Sequence, residues 1–315
     1  MVYVLAVGAA LANALTSVLQ RMGVEDAPED ATLHLSLLTH ALRRGVWLAG
    51  FGFMIVSFIM QAVALHYGRL TQVQPILTTE LVFLVLILGT WFRFRVGLRE
   101  WFGATAAAAG LAGFLIFASP TGGELVPTTS EWIEVGAACG AVAVLAVLLA
   151  LRGPRWWRAA MFGAAAAIGF AFTAALTKVV TQFIAEDWTS MFRHWQTYAL
   201  AGCGVLSVFL AQNAFHAGPI AASQSTLVML DPLASILIGI ALFGDNLRTS
   251  GAFGPLEALS LLVLFIGALT LVHSPLVSGM NSGDPQAELL SVRSRSTRLA
   301  DAVSSEHQAP PLSPS

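Results

Sequence analysis

The chain is short of charge. Only 11% of its 315 residues are Asp, Glu, Lys or Arg, against about 25% in an ordinary soluble domain. Lysine is nearly missing, with Lys178 the single example, and there are three tyrosines and two cysteines. Each shortage excludes something. Eighteen acids against sixteen bases leave a net charge of −2 and no basic surplus for a nucleic-acid backbone. Cys139 and Cys203 lie in separate apolar stretches, which offers neither a disulfide framework nor a metal-ligand spacing, and reads as small packing residues. No Walker A, nucleophile elbow or H-E-x-x-H pattern is present, so no enzyme and no cofactor are expected, and ATP-driven work would need a partner protein.

In place of charge there is hydrocarbon. The chain is 56% hydrophobic, with a mean hydropathy of +0.74, which predicts an all-α polytopic membrane protein. A helix needs about 20 apolar residues to cross a bilayer. Nine candidates follow, at about 2–20, 46–67, 71–92, 101–119, 132–151, 159–184, 195–216, 219–243 and 251–272. Ala31–Leu42 is apolar but short and precedes Arg43 and Arg44, so it reads as an interfacial helix, with a tenth degenerate span as the alternative. No basic run precedes Val2–Leu19, which favours an uncleaved helix over a signal peptide.

Arginines sort the connections. Loops 1, 3 and 5 and the C-terminal tail carry twelve, whereas loops 2, 6 and 8 carry only Arg69, Arg193 and Arg248. The positive-inside rule then puts the tail in the cytoplasm and the N-terminus outside, in a plasma (inner) membrane. Residues 276–315 turn polar, with Gly, Ser, Pro and scattered charges, and are expected to form a disordered cytoplasmic tail. Trp47, Trp91, Trp101, Trp132, Trp156, Trp157 and Trp195 fall at span ends, where interfacial anchors belong.

The apolar segments repeat. Leu48-Ala49-Gly50-Phe51-Gly52 recurs as Leu200-Ala201-Gly202-Cys203-Gly204, Ala14-Leu15-Thr16 as Ala175-Leu176-Thr177, and Ser119-Pro120 as Ser274-Pro275. Gln61 falls on Gln212 and Glu80 on Asp231, both at a separation of 151. Spans 1–4 thus match spans 6–9, and span 5 is the unpaired linker. One extra crossing between two four-helix units inverts the second. The expected organisation is a first repeat at 1–120, a linker at 121–158 containing span 132–151, a second, inverted repeat at 159–275, and the tail. Small residues from Gly103 to Gly113 and from Gly163 to Gly169 predict close helix packing.

Glu80 and Asp231 carry the chemistry. A carboxylate in hydrocarbon costs roughly 2.5–3.5 kcal/mol on insertion scales, and here both halves keep one at matching depth. The pair reads as a substrate-cation or proton-coupling site, against a purely structural role. Gln224, Asp231 and Ser235 share one helical face, and Gln72 and Thr79 flank Glu80. Gln61, Gln212 and Asn213 on neighbouring helices could bind a polar solute or tie helices together. Pro75 and Pro232 are expected to interrupt their helices and free carbonyls near the acids. Lys178 is a candidate charge partner for the two acids, against a lysine snorkelling to the surface. His66 and His216, at span ends, could titrate near neutrality.

These stretches resemble the drug/metabolite transporter superfamily, and within it the nine-helix, NIPA-like branch more than the ten-helix EamA-like majority. The likeness covers about 2–275. It rests on Trp47-Leu48-Ala49-Gly50, Gln61 to Gly68, Val73-Gln74-Pro75-Ile76 and Gly113 to Pro120, then on Ala211-Gln212-Asn213, Asp231-Pro232-Leu233 and His273-Ser274-Pro275. The EamA-like pattern often closes its fourth helix with Gly-Glu, and Gly244-Asp245 stands in that place in the second half. The resemblance implies a secondary transporter working by alternating access between inverted halves. The NIPA-like branch implies magnesium or another divalent cation, held if at all by Glu80 and Asp231, although that branch does not usually place an acid such as Glu80 after its Pro-Ile. The leading expectation is a carrier of a small polar or amphipathic solute. The alternatives are a divalent-cation carrier and a non-transporting membrane scaffold. The expected partners are the lipid bilayer and the solute or cation, with a homodimer left open.

Overall fold

The computed structural model describes residues 1–24, 45–91, 96–122, 127–218, 220–248 and 253–274. The proposed interfacial helix at 31–42 and the tail from 276 lie outside the described residues.

The described residues form ten α-helices in order: α1 (Val2–Val24), α2 (Gly45–Tyr67), α3 (Leu70–Leu77), α4 (Glu80–Thr90), α5 (Leu98–Ala118), α6 (Thr129–Ala150), α7 (Arg155–Glu186), α8 (Trp195–Ala217), α9 (Ile220–Phe243) and α10 (Phe253–Val272). Because α3 and α4 together make one crossing, the described residues contain nine stretches long and apolar enough to span a membrane. They coincide with the nine expected from composition. Rows of exposed apolar side chains, such as Phe51, Ile55, Val56 and Ile59 on α2 or Val205, Leu206 and Phe209 on α8, form faces suited to lipid rather than water.

The α-helix of the third crossing is interrupted for two residues. Pro75 has no amide to offer the carbonyl four residues back, and its ring crowds that carbonyl. The helix ends two residues later at Leu77, and Thr78 and Thr79 form a turn whose backbone stays right-handed helical. The hydroxyls of Thr78 and Thr79 then donate to the carbonyls of Pro75 and Ile76, each at 2.7 Å. Glu80 opens the next helix. Pro232 does not have this effect. It sits inside the unbroken α9, contrary to the expectation that both prolines interrupt their helices. No pair of threonines follows Pro232. The nearby hydroxyl, Ser235 Oγ, turns to the Asp231 side chain at 3.4 Å instead of to a backbone carbonyl.

Helices pack most extensively as α1 on α2, α7 on α8 and on α9, and α5 on α10. The α5–α10 seam shows what the small residues do. A Cβ at Gly110 would meet the backbone of Leu264 and lie 2.7 Å from the Ser260 carbonyl oxygen; one at Gly267 would lie 2.7 Å from that of Gly103. The two backbones are in direct contact, and only glycine leaves the space. Of the tryptophans, Trp91, Trp101, Trp156 and Trp195 are exposed as anchors should be. Trp132 is not. It is buried, edge-on to Phe172, Trp195 and Phe243. Its position at a span end was read as interfacial, but the neighbouring helix ends close over it.

At the end of the molecule where α5 and α9 finish, two short strands pair: β1 (Thr121–Gly122) and β2 (Asp245–Asn246), antiparallel, with Thr121 opposite Asn246 and Gly122 opposite Asp245. Gly122 (φ +74°) and Gly244 (φ +66°) take the left-handed turns that bring the strands together. Next to this strap lies a buried core that contains Leu65, Leu70, Val73, Ile76, Leu176, Leu242, Phe243 and Trp132.

Candidate functional site

The opposite half of the bundle is hollow. A cavity of about 680 Å³ is lined by α1, α2, α3, the α3–α4 turn, α4, α7, α8 and α9. Its position follows from the chain. On α3 the lining includes Gln74 and Leu77, on α7 it ends at Thr177, and on α9 it runs from Gln224 to Pro232. Beyond those points the same helices enter the packed core under the strap. On α8 the lining reaches Phe215, three residues from the turn into α9.

Both duplicated acids line this cavity. Glu80 gets there through the helix break, as the first residue of α4. Asp231 gets there through helical spacing, on the same face of α9 as Gln224, with Ser235 Oγ behind it. They are close enough for the charge of Glu80 to act on Asp231. Gln61 and Gln212, the other duplicated pair, also line the cavity. So do Asn13, Gln74, Thr78, Thr173 and Thr177. Phe58, Phe170 and Phe215 supply apolar walls, and among the described residues no Lys, Arg or His lines the cavity. Polar groups converging on an otherwise apolar hollow of this size form the ordinary architecture of a small-molecule site.

Sequence reasoning missed Asn13, whose side-chain amide donates to the Glu80 carboxylate. A lone carboxamide inside the otherwise apolar Val2–Leu19 was the available signal. The repeat holds a second clue. If Ala14-Leu15-Thr16 matches Ala175-Leu176-Thr177, Asn13 falls on Ala174, and both line the cavity. Gln74 was also missed, in favour of Gln72. Gln72 is buried away from the cavity, with its amide 3.4 Å from the Tyr3 hydroxyl, while Thr79 spends its hydroxyl on the backbone.

Three other candidates stand apart from the cavity. The Asn213 amide donates to the Phe209 carbonyl at 2.7 Å, one turn back on its own helix. Pro75 is buried at the α3 core face. Lys178 is 3% exposed, so it does not snorkel. Its Nζ lies 4.6 Å from the centre of the Phe243 ring, and the acid whose charge acts on it is Asp245 rather than Glu80 or Asp231. One helical step of about 100° separates Thr177, which faces the cavity, from Lys178, which faces the strap. His66 and His216 do not line the cavity. No group of three or more His, Cys, Asp or Glu that could hold a metal occurs among the described residues.

Comparison with known proteins adds a relative and no function. An uncharacterized protein of Corynebacterium glutamicum is 26% identical over 281 residues, covering 85% of this chain and 94% of its own length. The similarity runs along most of both chains and is not confined to one motif. No family profile matches the chain, and no solved structure does.

Proposed function

We propose that the chain is a secondary transporter of the drug/metabolite class that moves a small cationic solute by alternating access, with Glu80 and Asp231 as the groups that exchange the solute for protons. One observation carries this reading: both duplicated acids face a single cavity of about 680 Å³, among carboxamides and aromatic rings and with no basic side chain in the lining. An anion would meet two carboxylates there and only neutral amide and hydroxyl donors. A cation finds two carboxylates, the carbonyl oxygens of Asn13, Gln61, Gln74, Gln212 and Gln224, and three phenyl faces. Acids sealed within a helix interface would have favoured the scaffold alternative, and these acids border a void.

The inverted-repeat arrangement belongs to this proposal. Its support is the paired sequence markers and the matching packing of α1 on α2 and α7 on α8. The cytoplasmic tail, external N-terminus and plasma-membrane location rest on the arginine bias alone. The divalent-cation alternative retains one specific support, since two carboxylates with water could hold magnesium, which keeps most of its hydration shell.

Purified protein in sealed proteoliposomes, with a pH gradient imposed, tests the reading. Tetraalkylammonium ions, a diamine and Mg²⁺ are offered in turn, together with an organic anion as control. Gradient-driven uptake of an organic cation, lost in Glu80→Gln and in Asp231→Asn, is the expected result. Uptake of Mg²⁺ alone would transfer the assignment to the divalent carrier. Undiminished gradient-driven transport in both variants would leave the acids as structural relics of the duplication.

A further inference from the structure

The strap end of the molecule holds a second set of charges that the cavity does not use. Asp245, on β2, is 1% exposed. Its Oδ2 accepts from the Thr71 amide (3.2 Å) and the Thr71 hydroxyl (2.9 Å), at the first turn of α3. Oδ1 has no hydrogen-bond partner. Lys178 approaches from α7, over the Phe243 ring, with Asp245 acting on its charge and Arg69 acting against it. Arg69 itself sends Nε to the Gly122 carbonyl at 2.7 Å, and the Arg248 amide bonds the Ala118 carbonyl at 2.9 Å. Gly239 leaves the space for this cluster, because a Cβ there would lie 2.7 Å from Asp245 Oδ2. The α2–α3 turn, α3, α5, β1, α7, α9 and β2 therefore meet in one place.

A permanent joint would be built more cheaply from apolar side chains. Burying charged side chains costs each its hydration, and well-packed hydrophobic residues of similar volume often do as well or better. Charges are instead suited to a joint that must part, because water stabilises them once it enters. The strap is suited in the same way, at two residues per strand. Its position is also telling. Thr177 is on the cavity wall and Lys178 is the next residue, so cluster and core together close the cavity at this end.

Resting on the transporter reading, we propose that Lys178, Asp245 and Thr71 form the latch, and β1–β2 the strap, of a gate that closes the solute cavity at the end where α5 and α9 finish. The structure shows the gate shut. Opening separates Lys178 from Asp245, unpairs Thr121 from Asn246 and admits water along α3 and α9 to Glu80 and Asp231. Lys178 and Asp245 are positioning residues, which set the accessibility of the acids without touching the solute.

The test reads accessibility, which does not require transport. In full-length protein with Cys139 and Cys203 replaced by serine, Thr78→Cys reports from the cavity wall. A membrane-impermeant maleimide is applied from the strap side of sealed vesicles, the side being defined in a separate sample by labelling at Ser130→Cys. Labelling of position 78 is expected to be slow, and to rise severalfold in Lys178→Met and in Asp245→Asn. With Thr121→Cys and Asn246→Cys added and oxidised to a disulfide, the rise should vanish, and reductant should restore it. Facing residues of paired strands are within disulfide reach. Labelling that neither latch variant accelerates, or that the closed disulfide does not suppress, would overturn the gate. Should the latch variants fail to fold, the disulfide in otherwise unaltered protein still decides: closing it must stop solute flux and reducing it must restore flux, and flux that continues through a closed strap sinks the proposal. Absence of flux in the reduced protein counts against the transporter reading alone, and the gate is then judged on whether the disulfide suppresses the labelling of position 78 in the reduced-versus-oxidised comparison.

Discussion

The side-chain amide of Asn13, on α1, donates to the carboxylate of Glu80, across 67 positions of sequence. The bond joins the first crossing to the break in the third. It also gives one of the two acids a partner that the other lacks, since Asp231 has Ser235 behind it on its own helix.

Truncating that donor tests how much Glu80 depends on it. Asn13→Ala should lower stability by about 1–3 kcal/mol, the cost of leaving a buried acceptor unpaired. In a Glu80→Gln background the same truncation should cost less, because a neutral acceptor demands less of its donor. Thermal unfolding of the four proteins in one detergent gives the comparison, and equal losses in both backgrounds would mean the bond is not charge-assisted.

The buried charges of Lys178 and Asp245 at the strap make a prediction about coupling. Lys178→Met and Asp245→Asn together should depart from additivity by about 0.5–3 kcal/mol. Lys178→Met combined with Glu80→Gln or with Asp231→Asn should add to within about 0.5 kcal/mol. A thermal-stability double-mutant cycle separates the two outcomes. Coupling to Glu80 or Asp231 would return Lys178 to the cavity acids.

The α5–α10 seam predicts a contrast among glycines. Gly110→Ala forces two backbones apart and should sharply reduce the yield of folded protein. Gly140→Ala and Gly202→Ala enter open space, with nothing within 4 Å, and should be tolerated or gain up to about 1 kcal/mol from helix propensity. Size-exclusion profiles and melting curves are sufficient readouts.

The two prolines should behave differently. Pro75→Ala restores an amide and removes the ring, so amide exchange between Ile76 and Glu80 should slow as α3 and α4 join. Pro232→Ala sits in a helix that is already continuous and should change exchange along α9 far less. Hydrogen–deuterium exchange by mass spectrometry distinguishes these. Equal slowing at both sites would mean that Pro75 does not cause the break.

Much of this architecture was legible because hydrocarbon imposes length. A crossing needs its run of apolar residues, and the nine runs fell where the nine spans are. The convergence of Glu80, Asp231, Gln61 and Gln212 on one cavity was legible because each pair stands 151 residues apart, and that of Gln224 because it shares a helical face with Asp231. What escaped depended on direction rather than position. Lys178 is one residue from the cavity wall and points elsewhere, and Gln72 and Gln74 differ by two residues and by most of a half-turn. Trp132 stands at a span end, yet helix ends cover it. The fate of a proline depended on its neighbours' hydroxyls, with Thr78 and Thr79 stabilising a break that nothing stabilises after Pro232.

The turn at Thr78 and Thr79 also sets the two acids on different supports. Both threonines keep right-handed helical torsions, so the third crossing tightens there without bending away. Their hydroxyls take up the carbonyls of Pro75 and Ile76. Glu80 therefore starts a helical segment, with its carboxylate held from outside by Asn13. Asp231 lies within an unbroken helix of 24 residues and takes its hydroxyl partner from that same helix. One acid is braced across the bundle, and the other along its own rod.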